Sequence, residues 1–283
     1  AARKFGFETC CSDGRELLAD PAVNAVIIAT RHNTHARMVC AALEAGKHAY
    51  VEKPLCMDES ELAMIAEAHG KAGGRCILMV GYNRRFAPLM RLAEAHFCSR
   101  GTPLVMSFRV NAGPVASTSW VLSAEEGGGR VIGEVCHFVD ALSFLADAAP
   151  ESLCAASIAA GAGDAAQEEN ISVSLRFADG SLGNIVYTSV GDKAMAKEYL
   201  EVFGGGRAAA LDNFRRLALW AGGRAKVHKS LRQHKGHLEE MQAFVHAVRS
   251  GGPAPIPFES LAATSQATFQ IVQRLNQGLQ PCR

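Results

Sequence analysis

Short apolar, β-branched runs recur through the first hundred residues, and each breaks off into a polar motif before a helical stretch begins. Ala25-Val26-Ile27-Ile28-Ala29-Thr30 is the first such run, His48-Ala49-Tyr50-Val51 the second and Cys76-Ile77-Leu78-Met79-Val80-Gly81 the third. Runs of this kind suit parallel strands buried on both faces. Between them lie a helical stretch from about Thr34 to Glu44 that stops at Gly46, and another from Asp58 to Gly70. The second opens with Asp58 followed three residues later by Glu61, a capping signal. Ala1 to Phe7 reads as a last helical turn closing on Gly6. Strand–helix–strand alternation at this spacing implies right-handed crossovers and a parallel sheet covered by helices.

The pattern changes after a boundary near Pro88 to Pro103. Val105 to Val110, Ile171 to Phe177, Leu182 to Tyr187 and Tyr199 to Phe203 read as strands, with a hairpin turn at Ala178-Asp179-Gly180-Ser181. Helices are expected at about Gly133 to Leu145, Leu238 to Ser250 and Ser260 to Leu275, and a small-residue loop at Ala155 to Ala166. The fold class is therefore α/β: a parallel-sheet domain over residues 1–95, then an α+β domain over residues 96–283 with a large, mainly antiparallel sheet.

Composition removes several function classes. With 29 Lys and Arg against 28 Asp and Glu, a formal charge of +1 gives no electrostatic footprint for nucleic acid. The densest basic stretch, Arg224 to Lys235, reads as a solvated surface loop. No apolar run approaches the ~18 residues of a membrane span and no signal peptide opens the chain. Nine cysteines, an odd number without a CxxC pair, suggest reduced thiols in a cytoplasmic protein.

In a parallel sheet of this type ligands bind beyond the carboxyl ends of the strands. Three motifs fall there: Thr30 to His35, Glu52-Lys53-Pro54 and Tyr82 to Phe86. Their convergence on one crevice points to a binding site more strongly than any one of them. Lys53 stands close behind a buried strand, beside Glu52 and with its backbone restricted by Pro54. Its ammonium can hydrogen-bond a substrate hydroxyl, although a surface Glu–Lys pair would look the same. Further along, Gly127-Gly128-Gly129 leads into a helix bearing Glu134 and His137, spaced i, i+3 on one face. Such a histidine can act as acid or base near neutral pH, or simply pack. Metal binding is not expected, because no third ligand has suitable spacing.

Taken in order, Asn33-Thr34-His35, Glu52-Lys53-Pro54, Gly81 to Phe86 and the triple glycine through His137 resemble the glucose–fructose oxidoreductase/inositol dehydrogenase (Gfo/Idh/MocA) family over nearly the whole chain. Arg109 to Pro114, Trp120 and Gly127 to Asp140 are similar to a branch often fused behind, or encoded with, an alcohol-dehydrogenase-like domain. The resemblance implies an incomplete Rossmann-type first domain and an NAD- or NADP-dependent dehydrogenase acting on a CH–OH group of a sugar, cyclitol or nucleotide-sugar derivative. It implies that Lys53 relays the proton of the reacting hydroxyl, with His137, supported by Glu134, as acid–base partner. Ala29, Thr30, Asn33, His35, Glu52, Lys53, Pro54, Asn83 and Arg84 would bind the cofactor. Arg85, Asn111, Trp120, Arg130 and His137 would line the substrate side. A homo-oligomer through the second-domain sheet is also implied.

Two departures qualify the expectation. Many members carry Asp four residues before the catalytic histidine, where this chain has Gly133, with Glu134 as a replacement on the same helix face. No G-x-G-x-x-G precedes the Ala25 strand, so a strand–turn–helix of roughly 30 residues or more is expected upstream of Ala1. The alternatives are a non-catalytic sugar-binding or sensor protein that keeps the fold, and an incomplete product with no role of its own.

Overall fold

The computed structural model describes residues 2–99, 101–158 and 169–277. Helices α1 (Ala2–Phe5) and α2 (Gly14–Ala19) lead into strand β1 (Ala25–Ile28), helix α3 (His35–Glu44), strand β2 (His48–Val51), helix α4 (Glu59–Ala72), strand β3 (Leu78–Val80) and helix α5 (Pro88–Phe97). The three strands form a parallel sheet in the order β1-β2-β3. Asp58 caps α4 as expected, its Oδ1 accepting from Glu61 N–H at 2.9 Å, while Glu61 Oε2 accepts from Met57 N–H at 2.8 Å.

Among the described residues β1 is the outer strand of this sheet, and Ile27 is 61% exposed. Helix α5 fills most of the stretch between Pro88 and Pro103, and its Pro88 occupies the first turn where a missing N–H costs nothing.

The second sheet has eight strands: β4 (Val105–Asn111), β5 (Pro150–Ser157), β6 (Ile171–Phe177), β7 (Leu182–Thr188), β8 (Glu198–Gly204), β9 (Arg207–Asp212), β10 (Arg216–Ala221) and β11 (Arg224–Lys229). Their order is β11-β10-β9-β8-β4-β7-β6-β5, antiparallel throughout except between β4 and β7. Helices α6 (Cys136–Ala146) and α8 (Phe258–Asn276) contribute to the core on its covered face. Burial alternates residue by residue along β6 and β7, so one face packs and the other meets solvent. Helix α7 (His237–Ser250) returns to the first domain: Phe244 and Ala247 join the core that includes Tyr50, Val51 and Met79.

The Arg224 to Lys235 stretch is not a loop throughout, because Arg224–Lys229 forms β11, an edge strand whose charged, exposed residues block further pairing. Ala155–Ser157 likewise belongs to β5 rather than to a loop, and residues 159–168 lie outside the described residues. Seven described cysteines are free, but Cys154 is disulfide-bonded, against the expectation of nine reduced thiols. No described helix is long and apolar enough to cross a membrane.

Candidate active site

The three strand ends come together, and each is tied by specific bonds. Ala29 and Thr30 are exposed beyond β1, and a 3-10 turn, His32–Thr34, carries the chain into α3. His35 is fully buried, with Nδ1 2.7 Å from the Pro54 carbonyl and Nε2 3.2 Å from the Thr30 carbonyl, so it joins the ends of β1 and β2. Asn33 is exposed and donates its N–H to Glu126 O at 3.2 Å. Beyond β2, the Glu52 N–H donates to Ile28 O at 2.8 Å and the Lys53–Pro54 peptide is cis. Gly81 leaves room for two side-chain ends, since a Cβ there would lie 2.7 Å from the Tyr50 hydroxyl and 3.2 Å from Glu52 Oε2 and would force them to shift.

Lys53 reaches from this crevice to the second domain, where its Nζ donates to the Gly133 carbonyl at 2.6 Å. Gly133 lies in a π-helical turn, Val131–Val135, that runs directly into α6. Turns of this kind widen the helix locally and recur at functional sites. On the first turn of α6, His137 is buried, its Nδ1 has no hydrogen-bond partner, and the Tyr82 ring stands edge-on at 6.1 Å. Burial first, then the nearby charges of Arg84, Lys53, Lys235 and His237, hold its pKa well below the usual histidine range. These surroundings favour the uncharged ring.

Glu134 does not pair with His137. It accepts from the Tyr187 hydroxyl at 2.8 Å and from Arg130 Nη2 at 3.3 Å, and lies 3.9 Å from Lys197 Nζ. Burial alone would raise its pKa, but Arg130, Lys197, the Tyr187 hydrogen bond and Lys53 outweigh burial and keep it a carboxylate. The i, i+3 rule assumes α-helical spacing, and Glu134 stands in the π-helical turn instead. Arg130 is 1% exposed, donating also to Gly113 O at 2.7 Å, with Nε unpartnered. Asn111 donates to Asp192 O at 2.7 Å and leaves Oδ1 unpartnered. Trp120 is half-buried and packs edge-on against His32, ring centres 4.7 Å apart.

The Tyr82 to Phe86 motif is wholly buried and is held from below. Arg84 donates to both carboxylate oxygens of Glu198 at 2.7 and 3.0 Å, and Lys235 Nζ joins at 2.5 Å. Arg85 makes a two-bond pair with Asp140 at 3.0 and 2.5 Å. Asn83 donates to Lys235 O at 2.9 Å. Thus Arg84 and Arg85 are neutralised in place, by partners that sequence inspection did not identify. Glu198 lies 114 positions from Arg84 and opens an otherwise ordinary strand. Only the Asp140 spacing on the His137 helix offered a signal.

A second carboxyl beneath this layer carries its own prediction. Glu240 is 3% exposed, accepts from the Tyr50 hydroxyl at 3.0 Å and leaves Oε2 unpartnered. Burial chiefly, opposed by the Tyr50 bond and assisted by Glu52 and Asp140, pushes its pKa up to about 8. The folded chain therefore holds this proton where the unfolded chain has lost it, and stability falls as pH rises from the ordinary carboxyl range to about 8. Thermal unfolding should show Glu240→Gln gaining on the unsubstituted chain as pH is raised from 5 to 8. A constant difference across that range would refute the assignment.

Lys53 behind a strand of the parallel sheet and the buried His137 on α6 mark a two-domain chain in which a parallel sheet is followed by a large mixed sheet. Residues 1–82 match the model of an oxidoreductase family with an NAD-binding Rossmann fold, and residues 99–207 match the GFO/IDH/MocA C-terminal domain. The chain belongs to the Gfo/Idh/MocA family. It is 34% identical over 153 residues to levoglucosan dehydrogenase of Pseudarthrobacter phenanthrenivorans, which is 51% of this chain and 38% of that enzyme. It is 28% identical over 273 residues to myo-inositol 2-dehydrogenase of Thermotoga maritima, 90% of this chain and 78% of that one. Among solved structures, an oxidoreductase domain protein from Kribbella flavida superposes with a TM-score of 0.85 at 23% identity, covering 98% of this chain and 84% of that one. A levoglucosan dehydrogenase in complex with NADH and levoglucosan gives 0.84 at 22% identity, covering 98% of this chain and 84% of that one. These two likenesses establish the fold, and they match the fold class expected from the strand pattern.

Proposed function

We propose that this chain moves a hydride between NAD(P) and a hydroxyl-bearing carbon of a sugar or cyclitol, with nucleotide sugars in the same chemical class. The observation that carries this is the pairing of Lys53, anchored at 2.6 Å on the Gly133 carbonyl, with a buried, neutral His137 whose Nδ1 has no partner. An orphaned buried ring nitrogen costs free energy unless something bonds it, and a substrate hydroxyl is the matching donor. Ala29 and Thr30 follow β1, Glu52 and Pro54 flank Lys53 along the chain after β2, and with Asn33 they would meet the nicotinamide end of a dinucleotide. When bound, that group supplies the hydride acceptor at its ring carbon. Oxidising an alcohol also releases a proton. The Lys53 ammonium would orient the reacting oxygen, and His137 would accept the proton. Arg130, Asn111 and Trp120 would form the far wall of the substrate site. The relatives named above are dehydrogenases, which favours this reading over a non-catalytic sensor.

Titrating the purified chain with NADH and, separately, NADPH while following the dinucleotide fluorescence tests the cofactor half of the proposal. Saturable binding of one of them is expected, and its absence for both would count against it. The open face of the large sheet supports a second copy as partner. Val105 on β4 stands directly between Leu182 on β7 and Phe203 on β8, and all three are exposed. An apolar row across three strands is the kind of surface that oligomers cover.

A further inference from the structure

His32 is the most thoroughly engaged residue of the crevice that carries no part in the chemistry above. It opens the turn after β1, is 5% exposed, and stands between His35, with ring centres 5.7 Å apart, and the second domain. Its Nδ1 is 2.7 Å from the Gly127 carbonyl, a distance that requires the proton on Nδ1. Burial above all, and also Lys53 and His35, lower its pKa to about 4 against the Gly127 bond, so the ring is neutral and rigid in tautomer. One ring face partner is Trp120 at 4.7 Å, and the neighbouring Arg31 reaches Glu126 and lies over the Trp120 ring at 6.0 Å. Together these contacts clasp the segment from Trp120 to Gly129 onto the end of β1.

The same ring sits on Gly133. A Cβ at that position would lie 2.9 Å from His32 Cε1, closer than real carbon contacts come. Gly133 is also the residue whose carbonyl receives Lys53. We propose that His32 is a positioning residue: its imidazole occupies the volume that a side chain at 133 would need, and its bond to Gly127 fixes the segment that presents the Gly133 carbonyl to Lys53. This rests on the dehydrogenase reading and adds to it a steric pair, His32 with Gly133, that sets where the lysine points. A displacement of an oriented group by about 1 Å can cost on the order of 100-fold in rate, which is the scale of effect open to such a pair.

The test is a cycle of His32→Ala, Gly133→Ala and the double variant, with His32→Asn as the conservative replacement. The amide of Asn can donate to the Gly127 carbonyl from nearly the position of Nδ1. In the cofactor-free chain, Gly133→Ala should lower the thermal midpoint clearly on its own and far less when His32 is already Ala. In turnover, His32→Ala should lower kcat by roughly tenfold or more while the NADH dissociation constant stays within about twofold, and His32→Asn should recover most of the loss. Additive effects on the midpoint, or a kcat for His32→Ala equal to that of the unsubstituted chain, would overturn the inference. Turnover that requires Lys53 but ignores His32 would remove this inference alone. No turnover by the unsubstituted chain would remove the dehydrogenase reading, and this one with it.

Discussion

Replacing Lys53 with Met should lower kcat by about 1,000-fold, within the range removed with a positioned proton-transfer group, while leaving NADH affinity within a factor of about two. Methionine keeps the length and apolar stem of lysine but cannot donate to the Gly133 carbonyl or to a substrate oxygen. The lysine Nζ is committed to the second domain at 2.6 Å, whereas the neighbouring backbone that would face a dinucleotide is held by other bonds. Glu52 N–H goes to Ile28 O, and His35 grips Pro54. The substitution should therefore separate chemistry from cofactor binding. Steady-state kinetics beside a fluorescence titration of the same preparation would show it. A variant that retained a tenth or more of the original kcat would remove Lys53 from the mechanism.

The second large effect concerns stability. Glu198→Ala should lower the thermal midpoint by about 10 °C, from a loss of about 3–5 kcal/mol. Glu198 is 1% exposed and is the anion shared by Arg84 and Lys235, so its removal leaves two cations in a buried site without their counter-charge. Burial would raise its pKa, but Arg84 and Lys235 overcome burial and hold it down at about 2. The stabilisation is therefore complete above its ordinary value of 4.5 and is lost as pH falls toward 2. The midpoint gap between variant and unsubstituted chain should be widest near neutrality and shrink in acid. A gap that grew below pH 4 would contradict the assignment. Because Arg84 also stacks over Phe138 at 4.8 Å, beside His137 on α6, the variant should lose activity as well as stability.

The parts of this structure legible in the sequence share a local cause. Strands β1, β2 and β3 announce themselves as apolar runs, and the cap at Asp58 and the turn at Gly180 need only neighbouring residues. The convergence of Thr30, Lys53 and Asn83 was readable because parallel topology forces successive strand ends to one side. Strands β9 to β11 were missed: their alternation is blurred by small alanines in β9 and by solvent-facing charges in β11. The misplaced pairing of Glu134 with His137 came from assuming α-helical geometry through a π-helical turn. The ion pairs that hold Arg84 and Arg85 join residues 114 and 55 positions apart, and no local pattern predicts contacts of that kind. His32 was passed over because it resembles any polar residue in a turn until Gly127, Trp120 and Gly133 are brought against it.

The most direct measurement of the central claim is the absorbance at 340 nm when the chain is mixed with NAD+ or NADP+ and a panel of cyclitols and sugars, levoglucosan and myo-inositol included. Hydride transfer predicts a substrate-dependent rise, with one dinucleotide preferred, that disappears in the Lys53→Met variant. No rise with any member of the panel, or a rise of equal rate in that variant, would contradict the account.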